Sequence, residues 1–197
     1  MRDKYLQILK DKLSPYKGIL YFAILLLGSN FLWKICVDGQ LHSQQIAIFG
    51  VDMTSHFYKL SQLTTKLVFN FVRLFPNTET FCINNTLVYF PDGKIKLNLI
   101  WGCTGVKQLY IFTLIILFSP GAMRTKIWYI PLGCIILLFY NIARISAIAF
   151  LTRGHPERFD FLHEGLFRYI YYGLIFVLWV IWEEKYSKRK KKQQETQ

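Results

Sequence analysis

Apolar residues in this chain gather into long blocks instead of alternating or recurring with a helical period. Four blocks, 18–35, 104–119, 127–150 and 166–182, are long enough or nearly so to cross a hydrocarbon core that takes about 20 residues. The second is short, so it is expected either to extend back through Trp101 or to sit in a locally thinned bilayer. Segment 46–75 is different, because His56, Lys59, Lys66 and Arg73 punctuate it at helical spacing. That pattern favours an amphipathic helix lying in the membrane interface, with an additional membrane helix as the alternative. Segment 84–100 alternates on either side of Asp92-Gly93, which predicts a small outer β-hairpin leading into Cys103. The pattern therefore predicts an all-α integral membrane helical bundle of four to five transmembrane helices in a single domain. A small extracytoplasmic β-hairpin and an interfacial amphipathic helix complete it.

Composition sharpens this picture. A 197-residue chain that is 53% hydrophobic and 17% aromatic could in principle bury a soluble core, but apolar residues in uninterrupted blocks are a membrane signature. The first block follows a basic N-terminus without a small-x-small cleavage site, so it is read as a retained helix. A formal charge of +12 suggests nucleic acid at first sight. The basic residues flank apolar blocks instead of lining a groove, which argues against that partner. Six of them lie in Lys185–Lys192 directly after an apolar block, as expected of a cytoplasmic tail that meets anionic lipid.

Charge also orients the chain. With four spans, segments 1–17, 119–126 and 183–197 share one side and carry thirteen Lys and Arg. Segments 36–100 and 151–165 share the other side and carry seven, balanced by seven Asp and Glu. The positive-inside rule then puts both termini in the cytoplasm. Cys103 falls at the outer end of the second span, and Arg144 about 9 Å below the outer end of the third. His163 is expected in the outer loop before the fourth. Four cysteines make no disulfide framework, although Cys36 and Cys82 share the outer side and could pair; Cys134 reads as packing.

Each of these residues has a plain reading and a chemical one. Cys103 is either an inert buried thiol or a nucleophile. A helix N-terminus, a positive charge at Lys107 one turn on, and a missing side chain at Gly105 favour the second. The plain reading of Lys107 is a side chain near a helix end that snorkels to the headgroups. Arg144 costs at least about 2.5–3.5 kcal/mol at membrane depth, and its helix has no carboxylate to offset it. It must find a polar partner or snorkel, and Asn141 is one turn away to orient it. His163 can move a proton near neutral pH, with His155 in the same loop as its rival. This chemistry requires no cofactor. A zinc site from Cys103, His155 and His163 lacks any short ligand pair and is not favoured.

Taken in order, Cys103-Thr104-Gly105 with Lys107, Asn141-x-x-Arg144, and His163 with Gly165 resemble the motifs of the exosortase/archaeosortase family of multispanning membrane proteins. The resemblance covers about residues 80–182. It implies a protein-sorting cysteine transpeptidase or protease in the cytoplasmic (inner) membrane of a prokaryote. Its partners would be exported proteins ending in a short motif, a transmembrane helix and a basic tail, cleaved outside the membrane and passed to an acceptor. Carried onto this chain, Cys103 would be the nucleophile, Arg144 would stabilise the oxyanion or hold the substrate, and His163 would be the acid and base. Two other readings stay open: a non-catalytic scaffold or assembly factor, and a transporter component in which Arg144 lines an anion path.

The charge count generates a direct test. A cysteine placed at Asp92 or His155 is expected to react with an impermeant thiol reagent from outside, and one at Arg124 only after permeabilisation. The opposite pattern would invert the orientation.

Overall fold

The computed structural model describes residues 17–39, 45–75, 79–90, 96–152 and 156–187. Most of them are helical. Helix α1, Lys17–Cys36, turns Ile24, Leu27, Phe31 and Ile35 outward and Phe22, Ser29 and Trp33 inward. A surface this apolar is expected where the surrounding solvent is lipid. A first antiparallel sheet follows, with β1 (Val37–Gly39), β2 (Ile46–Ile48) and β3 (Val51–Asp52) in that spatial order. The β2–β3 turn is Phe49-Gly50, both at positive φ (50° and 79°), the geometry that matches a tight hairpin to the twist of its strands.

Helix α2, Thr54–Val72, starts where the Asp52 carboxylate accepts the Thr54 N–H at 2.8 Å. Segment 46–75 is thus two short strands and a helix, not one helix. The α2 residues Phe57, Ser61, Thr65, Val68 and Val72 are buried, a stripe at helical spacing. Val68 and Val72 pack with Leu87, Leu99, Ile145 and Ala149 in a core beneath a second sheet.

That sheet is a meander of β4 (Glu79–Ile83), β5 (Thr86–Phe90) and β6 (Lys96–Asn98). The expected hairpin is its β5–β6 half, with Leu87 opposite Leu97; Asp92-Gly93 lies outside the described residues. The preceding strand was hidden in sequence by its Asn84-Asn85 turn, where Asn84 adopts φ 53°. Asn is one of the few side chains that tolerates this conformation. Asn85 then clasps the far end of the meander: its Nδ2 donates to Leu99 O at 3.1 Å and its carbonyl accepts the Leu99 N–H at 2.8 Å.

Helix α3, Val106–Phe118, is central. Its Ile111, Phe112, Ile115 and Ile116 are fully buried among α1, α4 and α5. At 13 residues it is about 20 Å long, and it does not extend back to Trp101. Gly105, in the left-handed region at φ 80°, stops it at one end and Ser119-Pro120 at the other. Helix α4, Met123–Leu151, begins earlier than the apolar block because Lys126 is accommodated inside, donating from Nζ to Leu117 O at 2.6 Å. Helix α5, Phe167–Trp182, is continuous with wider-wound turns on both sides, so helical structure runs from Phe161 to Tyr186. Helices α1, α4 and this last run are long and apolar enough to cross a membrane; α3 is a shorter apolar helix.

One end of the bundle is tied by indoles. Trp179 Nε1 donates to Ser119 Oγ at 3.2 Å, and Trp182 Nε1 to Pro120 O at 3.0 Å. The opposite end carries both sheets and the candidate residues. All four cysteines are free thiols, so Cys36 and Cys82 do not pair.

Helices α3 and α4 pack closely where a Cβ on Gly133 would collide with the Phe112 ring. Gly133→Leu should destabilise the bundle by about 1–3 kcal/mol or more, the range for overpacked cores. The measurement is the thermal unfolding midpoint in detergent, with Gly28→Leu, where nothing lies within 4 Å, as the control that stays near wild type.

Candidate active site

The meander delivers the thiol. From β6 the chain passes through a tight turn, Trp101–Cys103, closed by Cys103 N–H to Ile100 O at 2.9 Å and Thr104 Oγ1 to Trp101 O at 2.6 Å. Gly105 then reverses the backbone and α3 begins at Val106. Cys103 therefore lies before the helix, with its own N–H already engaged, and not at the helix N-terminus. For the same reason Lys107 is not one helical turn above the sulfur, although both residues line one cavity.

Asn141, buried on α4, donates from Nδ2 to the Cys103 carbonyl at 2.9 Å and so fixes the turn to the bundle. A Cβ on Gly105 would stand 3.1 Å from Asn141 Nδ2 and 3.2 Å from the Tyr171 hydroxyl. Glycine is required here by conformation, since other residues pay roughly 1–2 kcal/mol in the left-handed region, and by closeness to Asn141. This contact gives Gly105 a structural reason beyond the open space beside the sulfur expected from sequence. Tyr171 is braced in turn, donating to Leu137 O at 3.1 Å.

His163 reaches the same place from the other side. It is not in a loop: residues 161–166 form a wide helical turn that runs straight into α5. Its Nε2 lies 3.8 Å from Cys103 Sγ. Phe159, four residues earlier, stacks on the imidazole with ring centroids 5.1 Å apart and planes 8° from parallel. Sequence reasoning missed Phe159, because its i, i+4 relation to His163 means something only if the segment is helical. His155 and His42 lie outside the described residues, and His56 is on the exposed side of α2 beside Ser55.

Arg144, one turn beyond Asn141 on α4, is 93% buried, its relative exposure being 7%. It donates from Nη2 to the His163 carbonyl at 3.4 Å, while its Nε has no hydrogen-bond partner among the described residues. The guanidinium is a second layer behind the thiol and imidazole; it does not line the cavity they face. Snorkelling is excluded by this burial.

That cavity, about 1190 Å³, lies between α1, α3, the wide turn and the β-strand ends. Burial pushes the Cys103 thiol above its ordinary pKa; a backbone hydrogen bond at Ile100 and the Arg144 charge oppose this without reversing it. A thiol held neutral at pH 7 needs a base to become a nucleophile, and His163 is the base within reach. A sulfur–nitrogen separation of 3.8 Å is the loose geometry usual for catalytic pairs before substrate tightens them. Among the described residues no group of three His, Cys, Asp or Glu side chains could hold a metal ion.

The raised thiol predicts a pH profile. Alkylation of Cys103 by iodoacetamide should keep accelerating with pH beyond the point where a free cysteine peptide, of pKa about 8.5, levels off. Arg144→Gln removes a charge that favours the thiolate, so it should move the profile further up. A plateau at or below the peptide's would refute the assignment.

A comparison with known families matches residues 18–166 to the transmembrane exosortase family (Exosortase_EpsH). Comparison with curated proteins and with solved structures finds no match. The family match begins at α1 and takes in the whole Cys103, Asn141, Arg144 and His163 constellation. It extends the resemblance read from the motifs back through the N-terminal third. A multi-pass helical chain with this match over most of its length belongs to the transmembrane exosortase family.

Proposed function

We propose that this protein is a membrane cysteine transpeptidase that processes the C-terminal sorting signals of exported proteins. The observation that carries the reading is the approach of Cys103 Sγ to His163 Nε2 at 3.8 Å, with His163 held from behind by Arg144. Family membership supports a protein-sorting role. The cavity in front of the pair is large enough to receive an extended peptide.

The reaction follows from the groups present. As Sγ attacks the substrate carbonyl carbon, His163 Nε2 takes the thiol proton. The S–C bond forms and the carbonyl electron pair moves to oxygen. Collapse of this oxyanion breaks the C–N bond, and His163 returns its proton to the departing amine, leaving a thioester on Cys103. An acceptor nucleophile then gives its proton to His163 and attacks the thioester carbonyl; the C–S bond breaks, and His163 passes that proton to the departing sulfur, which restores the Cys103 thiol. Arg144 contributes from the second layer. Its charge sits in a low-dielectric interior, where it favours negative charge at the thiolate and oxyanion, and its hydrogen bond sets the position of His163. Asn141 and Gly105 hold the Cys103 backbone in place.

Substrates of this reading carry a motif, a transmembrane helix and a basic cluster. The helix would lie in the bilayer beside the bundle, with the motif at the outer face of the cytoplasmic membrane. The outward orientation rests on the charge distribution between the two sides.

Cys103→Ser is expected to accumulate in the membrane yet leave its substrate unprocessed, while Cys82→Ser and Cys134→Ser process normally. Arg144→Lys tests whether charge alone is enough. Lysine keeps a point charge but lacks the rigid planar group whose Nη2 reaches the His163 carbonyl. Processing should fall about a hundredfold, the scale of a catalytic group misplaced by about 1 Å. Both are read from the ratio of precursor to mature substrate at matched enzyme levels. Near-normal turnover by Cys103→Ala would leave the thiol without a role.

A further inference from the structure

Within the four apolar blocks 18–35, 104–119, 127–150 and 166–182 there is no Asp or Glu, and the Lys and Arg are Lys34, Lys107, Arg144 and Arg168. Arg144 is the buried guanidinium behind the site. The other three stand at the ends of three different helices, α1, α3 and α5, and all of them line the cavity that holds Cys103 and His163. Lys34 and Arg168 are close enough to Lys107 for their charges to repel it. None of the three has an ion-pair partner among the described residues. Cations that merely flank a span point apart into the headgroup layer; these converge on one space. Their concentration also runs against the charge rule that orients the chain, since it places them on the side that is poor in Lys and Arg.

The same cavity has a second character. Along α1 it runs from Leu26 and Leu27 through Asn30 and Trp33 to Lys34, about 12 Å of helix. Leu27 is 69% exposed on the lipid-facing flank of α1, so the apolar end of the cavity reaches the side of the bundle. Three cations match a phosphodiester, and an apolar channel open to the side matches an acyl chain.

We propose that this cavity binds one anionic phospholipid. Its phosphate sits among Lys34, Lys107 and Arg168, and a chain passes out over Leu26 and Leu27. The lipid site stands on its own geometry.

The test uses the full-length protein, reconstituted in vesicles of equal phosphatidylglycerol and phosphatidylcholine, re-extracted, and weighed with its bound lipid by native mass spectrometry. One phosphatidylglycerol should be retained in preference to phosphatidylcholine. Each of Lys34→Gln, Lys107→Gln and Arg168→Gln should weaken retention about fivefold, and the three together on the order of a hundredfold, as expected for one basic residue each at an anionic headgroup. The charge-keeping set Lys34→Arg, Lys107→Arg and Arg168→Lys should retain it, which controls for folding. Neutralising Lys190, Lys191 and Lys192 in the tail should leave the tightly held lipid in place. Cys103→Ala should hold the lipid as wild type does, so a failure of the catalytic reading would not be mistaken for a failure of this one. Equal retention of phosphatidylcholine, undiminished retention by the triple glutamine variant, or loss on neutralising the tail would each overturn the site. So would a triple variant that keeps the lipid but no longer processes substrate, since the cations would then serve the peptide.

Discussion

A guanidinium inside an apolar helix bundle must be satisfied by something, and here the satisfying group is a backbone carbonyl of the catalytic candidate. Arg144 sits on α4 with 7% of its surface exposed, and its Nη2 binds the His163 carbonyl. Leaving such a group unpaired would cost several kcal/mol, so the turn before α5 is drawn onto α4. Once that turn is held, the imidazole comes within 3.8 Å of Cys103. The position of His163 is thus tied to where Arg144 is buried, together with the Phe159 stack and the run of its turn into α5. The same α4 face also carries Asn141, one turn away, which holds the Cys103 carbonyl. Two polar side chains on one helix set both halves of the site.

Departures from regular helix make that meeting possible. Gly105 breaks the backbone ahead of α3, which separates the thiol from the helix and frees it to face the cavity. The wide turn at 161–166 swings His163 and carries it directly into α5. Distortions of this kind inside helices recur at functional sites because they re-aim side chains that a regular helix would direct elsewhere. The cost at the thiol is desolvation, which raises its pKa. Burial of the thiol, the nearby imidazole and the second-layer cation are therefore one arrangement.

Much of this was legible in the residues. The apolar blocks anticipated α1, α4 and α5, because a segment surrounded by lipid has no use for periodic polar positions. Arg144 and Asn141 stood out since a polar residue at membrane depth requires an explanation. Cys103, Gly105, Lys107 and His163 were singled out by order and spacing. Other elements were not legible. The strand Glu79–Ile83 hides behind an Asn-Asn turn, and the Val37–Asp52 sheet consists of strands of two or three residues, too short for any alternation to register.

What the sequence determined by itself is the solvent of this protein, the identity of its main helices and the inventory of reactive groups, all local properties of composition and period. What the tertiary structure decided is which groups meet. Cys103 left the helix N-terminus because one glycine adopts φ 80° against Asn141 and Tyr171, a contact between distant segments. Arg144 took a second-layer place because α5 and its leading turn cover it. Lys34 and Arg168, which read along the chain as ordinary charges at helix ends, became walls of the cavity only when α1, α3 and α5 packed together. Burial and the direction of a side chain depend on neighbours far away in sequence, and no local pattern encodes them.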